Sequence, residues 1–227
     1  MLLIPAFAVG RSQQMIWMMN ELVTQGRLRP FDIHLDSPMA VDATRIYAAH
    51  PEGHQENVSN LGGRSLFHGR WVQLHRTRDQ SKALNSLEGP AVILSSSGML
   101  SGGRILHHCR QRLPRPENTL LITGYQAEGT LGRALVEGAG EVRIHKSKIP
   151  VLAEVRVLKG LSGHADSLEL MRWLSSVERS PKTVFVTHGE EEASLALADR
   201  IGRERGFTTH VPFPGETWDL DAGRRVD

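Results

Sequence analysis

The 227-residue sequence has one cysteine, few aromatics, no long apolar run and almost no net charge. Cys109 is alone and cannot form an internal disulfide, which excludes disulfide-stapled scaffolds and fits a reducing compartment. No apolar stretch approaches the roughly 20 residues that span a bilayer. The opening Met1-Leu2-Leu3-Ile4-Pro5 lacks a basic flank and stops at a proline, so it does not read as a signal peptide. With 27 basic and 25 acidic side chains the net charge is +2, which is no polybasic nucleic-acid tail, although a local basic channel stays open. Aromatics are 5%, and Trp17, Trp71, Trp173 and Trp218 are read as packing residues. What remains is 40% hydrophobic with 22 Gly and 11 Pro, an ordinary globular composition of one or two domains. The expectation is a soluble cytoplasmic α/β protein.

The pattern along the chain is strand, glycine-bearing turn, helix, repeated. Leu2–Phe7 reads as a buried strand. Met15, Met18, Met19, Leu22 and Val23 then recur at helical spacing, and Gly26 stands where a C-cap glycine ends a helix. Phe31–Leu35, Ala91–Ser95 and Thr119–Thr123 read as further strands, each followed by a helix; strands near Val142–His145 and Val151–Leu158 follow. Residues 50–80 are poorly patterned and read as loop plus a short helix. Such alternation predicts a parallel sheet with crossover helices. The texture changes near residue 160, where a boundary is placed. Beyond it, Asp166 and Glu169 form a capping pair for a helix with Leu170, Leu174 and Val177 inward. A strand at Thr183–Thr187 leads into His188-Gly189-Glu190, then a helix from about Glu191 to Arg203 with Leu195, Ala198 and Ile201 in register.

Two histidines stand where chemistry gathers. His188 follows a buried strand directly and precedes a glycine and a helix, the strand-end position at which α/β enzymes collect ligands. A neutral imidazole there suits zinc, or else it caps the helix or bonds a carbonyl. In Leu161-Ser162-Gly163-His164-Ala165-Asp166, an imidazole sits just before a helix N-terminus, a place for phosphate beside a proton donor or simply an exposed turn. Ser97 and Gly98 lie in a small-residue turn, Ser95 to Gly103, that either admits a phosphate backbone closely or is merely tight. It is neither a Walker A loop nor a Gly-x-Ser-x-Gly elbow. Arg11, at a helix start, faces phosphate or solvent. His107 and His108 are adjacent on a helix and do not make a joint metal site. His34, His50, His54, His68 and His75 show no ligand spacing and are read as surface or core histidines. Cys109 is read as an inert buried thiol.

These segments together resemble the β-CASP branch of the metallo-β-lactamase superfamily, nucleases that process RNA ends. The resemblance is carried by Ile4-Pro5-Ala6-Phe7-Ala8-Val9-Gly10-Arg11-Ser12-Gln13, Leu35-Asp36-Ser37-Pro38-Met39-Ala40, Ser81-Lys82-Ala83-Leu84-Asn85, Ser96-Ser97-Gly98-Met99, Gly124-Tyr125-Gln126-Ala127-Glu128-Gly129-Thr130-Leu131, Ser162-Gly163-His164-Ala165-Asp166 and Val186-Thr187-His188-Gly189-Glu190. It implies an α/β fold: a β-CASP cap over residues 1–160, then the C-terminal part of a metallo-β-lactamase αββα fold over 161–227. It implies a zinc-dependent ribonuclease with RNA as substrate, His164 as general acid at the scissile phosphate and His188 as a ligand to one of two zinc ions. Arg11, Ser97, Gly98, Ser162 and Gly163 are the expected contacts to RNA phosphates.

The sequence departs from the family in one respect. The His-x-His-x-Asp-His metal motif occurs nowhere in the 227 residues. Met1 begins almost at the first strand of the cap, so the chain reads as the C-terminal half of a longer enzyme. One credible ligand is too few for zinc. The chain is therefore expected to bind no catalytic metal pair and to cleave nothing alone. An exposed apolar face is expected where the metallo-β-lactamase core is incomplete, favouring a homodimer or pairing with a separate N-terminal half. The competing readings are a non-catalytic RNA-binding or assembly subunit and a DNA-directed nuclease. Retention of both histidines argues against the first. The second conflicts with His188, since DNA-acting relatives commonly lack a histidine there.

Overall fold

A computed structural model describes residues 1–53 and 71–226. The expected loop and the histidines at 54 and 68 therefore fall partly or wholly outside the described residues. The chain divides into two compact units, Met1–Leu161 and Ser162–Asp227.

The first unit is built on a sheet of β1 (Leu2–Pro5), β2 (Asp32–Leu35), β3 (Val72–Leu74), β4 (Ala91–Ser95), β5 (Thr119–Ile122) and β8 (Glu154–Val157), in the order β3-β2-β4-β1-β5-β8. Every pairing is parallel. The central strands read as continuous apolar runs because both of their faces are covered. All five residues of β4, Ala-Val-Ile-Leu-Ser, are buried, whereas the edge strand β8 is mostly exposed. Side chains alternate across β1. Leu3 joins a core with Ile105, Cys109, Leu120 and Ile122, while Ile4 joins one with Met15, Ile16, Ile33 and Val41. Helices α1 (Arg11–Thr24) and α2 (Pro38–Ala49) thus cover one face. On the other lie α4 (Ile105–Arg112), α5 (Leu131–Val136) and the hairpin of β6 (Glu141–Ile144) and β7 (Ser147–Pro150). The short α3 (Arg78–Ala83) connects β3 to β4.

Some local readings change. The buried positions of α1 are Ser12, Gln13, Met15, Ile16 and Met19, so the inward face is rotated toward the helix start, and Leu22 and Val23 are only half-buried. Gln13 is buried because its amide reaches Ala8 O (3.1 Å) and Thr44 Oγ1 (2.8 Å), tying the β1–α1 turn to α2. The strands expected near Val142–His145 and Val151–Leu158 correspond to β6 and β8, and between them stands an unexpected strand, β7, which turns back on β6 through His145 and Lys146, both at positive φ (47° and 66°), while β8 joins the sheet. β3 emerges from the poorly patterned stretch as a three-residue edge strand.

The second unit holds α6 (Ser167–Leu174), β9 (Val184–Phe185), α7 (Glu191–Arg205), β10 (Thr209–His210), β11 (Trp218–Asp219) and β12 (Arg224–Arg225). β9 and β10 pair in parallel, and β11 and β12 antiparallel. Its core is Met171, Leu174, Val186, Ala198 and Ile201. Val177 lies past the end of α6 and Leu195 is exposed, the inward place on α7 being taken by Ser194. Glu216 accepts from His210 Nε2 (2.6 Å) and Trp218 Nε1 (3.1 Å), and these bonds hold its carboxyl down to about 2. Trp173 stands 68% exposed on α6, contrary to its reading as a packing residue, and Phe213 and Leu220 are similarly bare.

Candidate functional site

All six strands of the first sheet run the same way, so the loops after them gather along one edge. The chain leaves β1 toward α1 on one face and leaves the adjacent β4 toward α4 on the other. Divergence of this kind opens a crevice between neighbouring loops, the place where open α/β sheets bind ligands. Arg11, Ser97 and Gly98 all lie there.

The Ser96–Gly103 turn is folded on itself. Ser97 N donates to Gly102 O (3.2 Å), and Ser101 N to Ser97 Oγ (3.1 Å), leaving the Ser97 hydroxyl half-buried beside that of Ser101. Gly103 closes the turn at φ +82°, where an added Cβ would stand 2.2 Å from Ser96 O; no other residue fits. Gly98 is buried, and a Cβ there would stand 3.1 Å from both the backbone N and the ring Cδ2 of Phe7. Its role in this fold is close approach to the β1 loop. Phe7 O is held in turn by Ser12 N and Ser12 Oγ (2.8 Å), so the two loops are locked together. On the far side, Gln126 Nε2 donates to Gly98 O (3.0 Å), Gly124 O and Tyr125 O, fixing the turn after β5. Arg11 Nη2 donates to Leu161 O (2.5 Å), and Nη1 is buried without a hydrogen-bond partner among the described residues. Burial draws the Arg11 guanidinium below its ordinary value.

Beneath this edge lies a network that was not read from the sequence. Asp36, at the end of β2, is fully buried and accepts from Ser81 Oγ (2.6 Å), His108 Nε2 (2.7 Å) and Arg104 Nη1 (2.8 Å). Burial alone would raise its carboxyl, but the bonds from His108, Ser81 and Arg104 hold it below its ordinary value, so it accepts and each partner donates. Arg104 also donates to the carbonyls of His75 and Arg76. His34 Nδ1 and His75 Nε2 are 3.0 Å apart, and burial pushes both rings down. Two of the histidines that looked scattered therefore meet, brought together by the β2–β3 pairing. His107 faces elsewhere and stacks on His145. Cys109 is fully buried, its thiol pushed up to about 12.

Ser162, Gly163, His164 and His188 lie in the second unit, separately from that edge loop set in the chain's division. His164 is exposed, its N–H donating to Ser162 Oγ (3.1 Å), ahead of α6. Asp166 caps α6 through Leu168 N and Glu169 N, while Glu169 returns a bond to Asp166 N, a complete capping box. His188 is exposed at φ 69°, a left-handed conformation costing an L-residue roughly 1–2 kcal/mol. Gly189 after it packs against Ser194: a Cβ there would stand 2.3 Å from Ser194 Oγ, which would have to turn away. Among the described residues no three His, Cys, Asp or Glu side chains converge to hold a metal ion, so these residues alone do not fit a zinc centre. A hollow of about 360 Å³ in the same unit is lined by residues including Lys182, Phe185 and Trp218, not by either histidine.

The family model described as the Beta-Casp domain matches residues 12–135, more than half of the chain. The chain belongs to the β-CASP family of the metallo-β-lactamase superfamily. A second model, the Zn-dependent metallo-hydrolase RNA specificity domain, matches residues 148–212, from β7 through both histidine turns to β10. Ribonuclease TTHA0252 of Thermus thermophilus is 42% identical over 198 residues, covering 86% of this chain and 44% of that protein. Transcription termination factor FttA of Pyrococcus horikoshii is 35% identical over 219 residues, 92% of this chain and 33% of that protein. An RNase J-like protein of Methanocaldococcus jannaschii is 33% identical over 213 residues, 94% of this chain and 48% of that protein. This β-CASP chain thus spans less than half the length of these relatives.

Proposed function

We propose that this chain is the RNA-binding, specificity-setting part of a zinc-dependent ribonuclease, and that it hydrolyses phosphodiester bonds only when further metal ligands join His188. The observation that carries the reading is the ordered pair of family matches, with His164 and His188 both inside the RNA specificity domain and both exposed. Zinc would activate water and stabilise the attacking and leaving oxygens of the displaced phosphodiester. What this chain's own residues contribute is narrower. His188 offers one imidazole nitrogen from a turn at positive φ. His164 offers a proton donor at the head of α6, where Ser162 and Gly163 shape the approach of a phosphate. Arg11 and the Ser97 hydroxyl offer phosphate contacts on the sheet edge. The remaining ligands come from a metallo-β-lactamase half supplied on another part of the polypeptide or in trans, and the exposed Trp173, Phe213 and Leu220 are available to meet it or a second copy.

The test is zinc content and cleavage on one sample. The dialysed chain is expected to hold less than one zinc per molecule and to leave labelled RNA uncut. Adding a metallo-β-lactamase half bearing the His-x-His-x-Asp-His motif is expected to restore both. In that complex His188→Ala should lose zinc, and His164→Ala should keep zinc while cutting about 10²- to 10⁴-fold more slowly. Zinc restored with no cleavage would instead favour the non-catalytic subunit.

A further inference from the structure

The β6–β7 hairpin has two unlike faces. Val142, Ile144 and Ile149 turn inward and join the core with Ile105 and Cys109 of α4, so Arg143 and Lys148 stand on the outward face, exposed. These two cations lie directly opposite each other across the antiparallel pair. Lys148 reaches Glu141 at 3.1 Å, whereas Arg143 makes no ion pair among the described residues. Like charges set opposite each other across a ladder cost stability, and a bound anion would relieve that cost. The turn adds His145 and Lys146, both exposed. A second element extends the patch. The His145 ring stacks on that of His107, centroids 4.6 Å apart, which seats the hairpin turn against α4. His107 and Arg110 are exposed and three residues apart on that helix, so they share a face. Burial first, then His145, His108 and Arg110, holds the His107 ring below its ordinary value. The carboxylate that opposes them, Asp36, is buried and already accepts from three donors. Arg110, Arg143 and Lys146 are thus exposed cations with no paired carboxylate among the described residues. α4 begins just after the Ser96–Gly103 turn, so this surface leads away from the sheet edge that carries Arg11 and Ser97.

Unneutralised cations on one surface raise the local concentration of polyanions, and the regularly spaced phosphates of a nucleic-acid strand match such a surface. We propose that the outward face of the β6–β7 hairpin, with His107 and Arg110 of α4, holds the phosphate backbone of RNA beyond the sheet edge. The proposal rests on the RNA-binding reading above. It adds where the strand runs, along α4 to the hairpin, and that the contacts there are to phosphates and carry no sequence preference.

Fluorescence anisotropy over a salt series tests this, using the 227-residue chain, a labelled oligouridylate and an abasic ribose-phosphate strand of equal length and charge. An Arg143→Gln, Lys146→Gln double variant is expected to lower the slope of log K against log salt by about 1.4, two phosphate contacts at roughly 0.7 each. Its affinity at about 50 mM salt should fall roughly 10-fold or more, equally for both strands. Arg110→Gln, placed on the helix and not on the hairpin, should lower the slope by about 0.7. An Arg27→Gln, Arg29→Gln double variant removes the same charge from the exposed loop before β2, at the opposite edge of the sheet, and should leave the slope unchanged. The hairpin variant should melt no lower than the wild type, because it removes a like-charge pair from an exposed face. If the hairpin and Arg110 variants keep the wild-type slope, or the Arg27, Arg29 variant loses as much as the hairpin variant, the surface is overturned while RNA binding stands. A loss confined to oligouridylate would assign the contacts to bases and overturn the phosphate role. If the wild-type chain binds neither strand, the RNA-binding reading fails and takes this inference with it.

Discussion

Asp36 is buried yet kept charged because three donors, from α3, the head of α4 and α4 itself, converge on one carboxylate. Removing that charge leaves the Arg104 guanidinium without its counter-charge. Asp36→Asn is therefore expected to destabilise the first unit by about 3–5 kcal/mol, read as a lower urea midpoint. The histidine pair next to it sets a pH dependence. Burial, opposed in part by the charge of Asp36, holds His34 and His75 below their ordinary 6.5. The unfolded chain takes up those protons near 6.5 while the folded chain resists, so stability falls as pH drops below that value. Asp36 adds a second loss at lower pH. Its folded value is below 3.8, so its contribution is present above that and is lost as pH falls through the folded value. Urea midpoints at pH 7.5 and 5.5 should show the first decline, and a His34→Gln, His75→Gln double variant should show less of it. None of this was legible in the sequence, since positions 34, 36, 75, 81, 104 and 108 have no regular spacing. Only the sheet register and the return of α4 bring them together. Arg11, Ser97 and the two histidine turns were legible because each stands at a strand-to-helix or loop-to-helix junction that the local pattern already marks.

Strands β1, β4 and β5 are evident in the sequence because strands covered on both faces write themselves as unbroken apolar runs. The edge strand β3 and the β6–β7 hairpin are not. A three-residue edge strand carries too little pattern, and the two-residue turn at His145 and Lys146 has no glycine to announce it. Turns and caps carry the element-scale predictions. Gly103→Ala forces an L-residue to φ +82° and a Cβ onto Ser96 O, and is expected to cost at least about 2 kcal/mol. Asp166→Ala removes the side chain that caps α6 and is expected to cost about 1 kcal/mol. Thermal melts monitored by circular dichroism check both. A Gly103→Ala protein as stable as the wild type would contradict the geometry assigned to the β4 loop.

At the scale of the molecule, composition pointed only to a soluble α/β protein, and the order of seven short segments gave the family. The structure adds where those segments sit. Phe7, Arg11, Ser97 and Tyr125 share one sheet edge in the first unit, and His164 and His188 occupy exposed turns of the second. The account expects phosphate contacts to dominate affinity, so binding should weaken steeply with salt, and Arg11→Ala should lower the slope of log K against log salt by about 1. The most direct test of the central claim is a single incubation of the purified chain with end-labelled single-stranded RNA, resolved on native and denaturing gels. The account expects a shifted, salt-sensitive complex whose RNA stays full length, and cleavage only after a metallo-β-lactamase half is added. Cleavage by the chain alone, abolished in His188→Ala, would contradict it, and so would the absence of any complex.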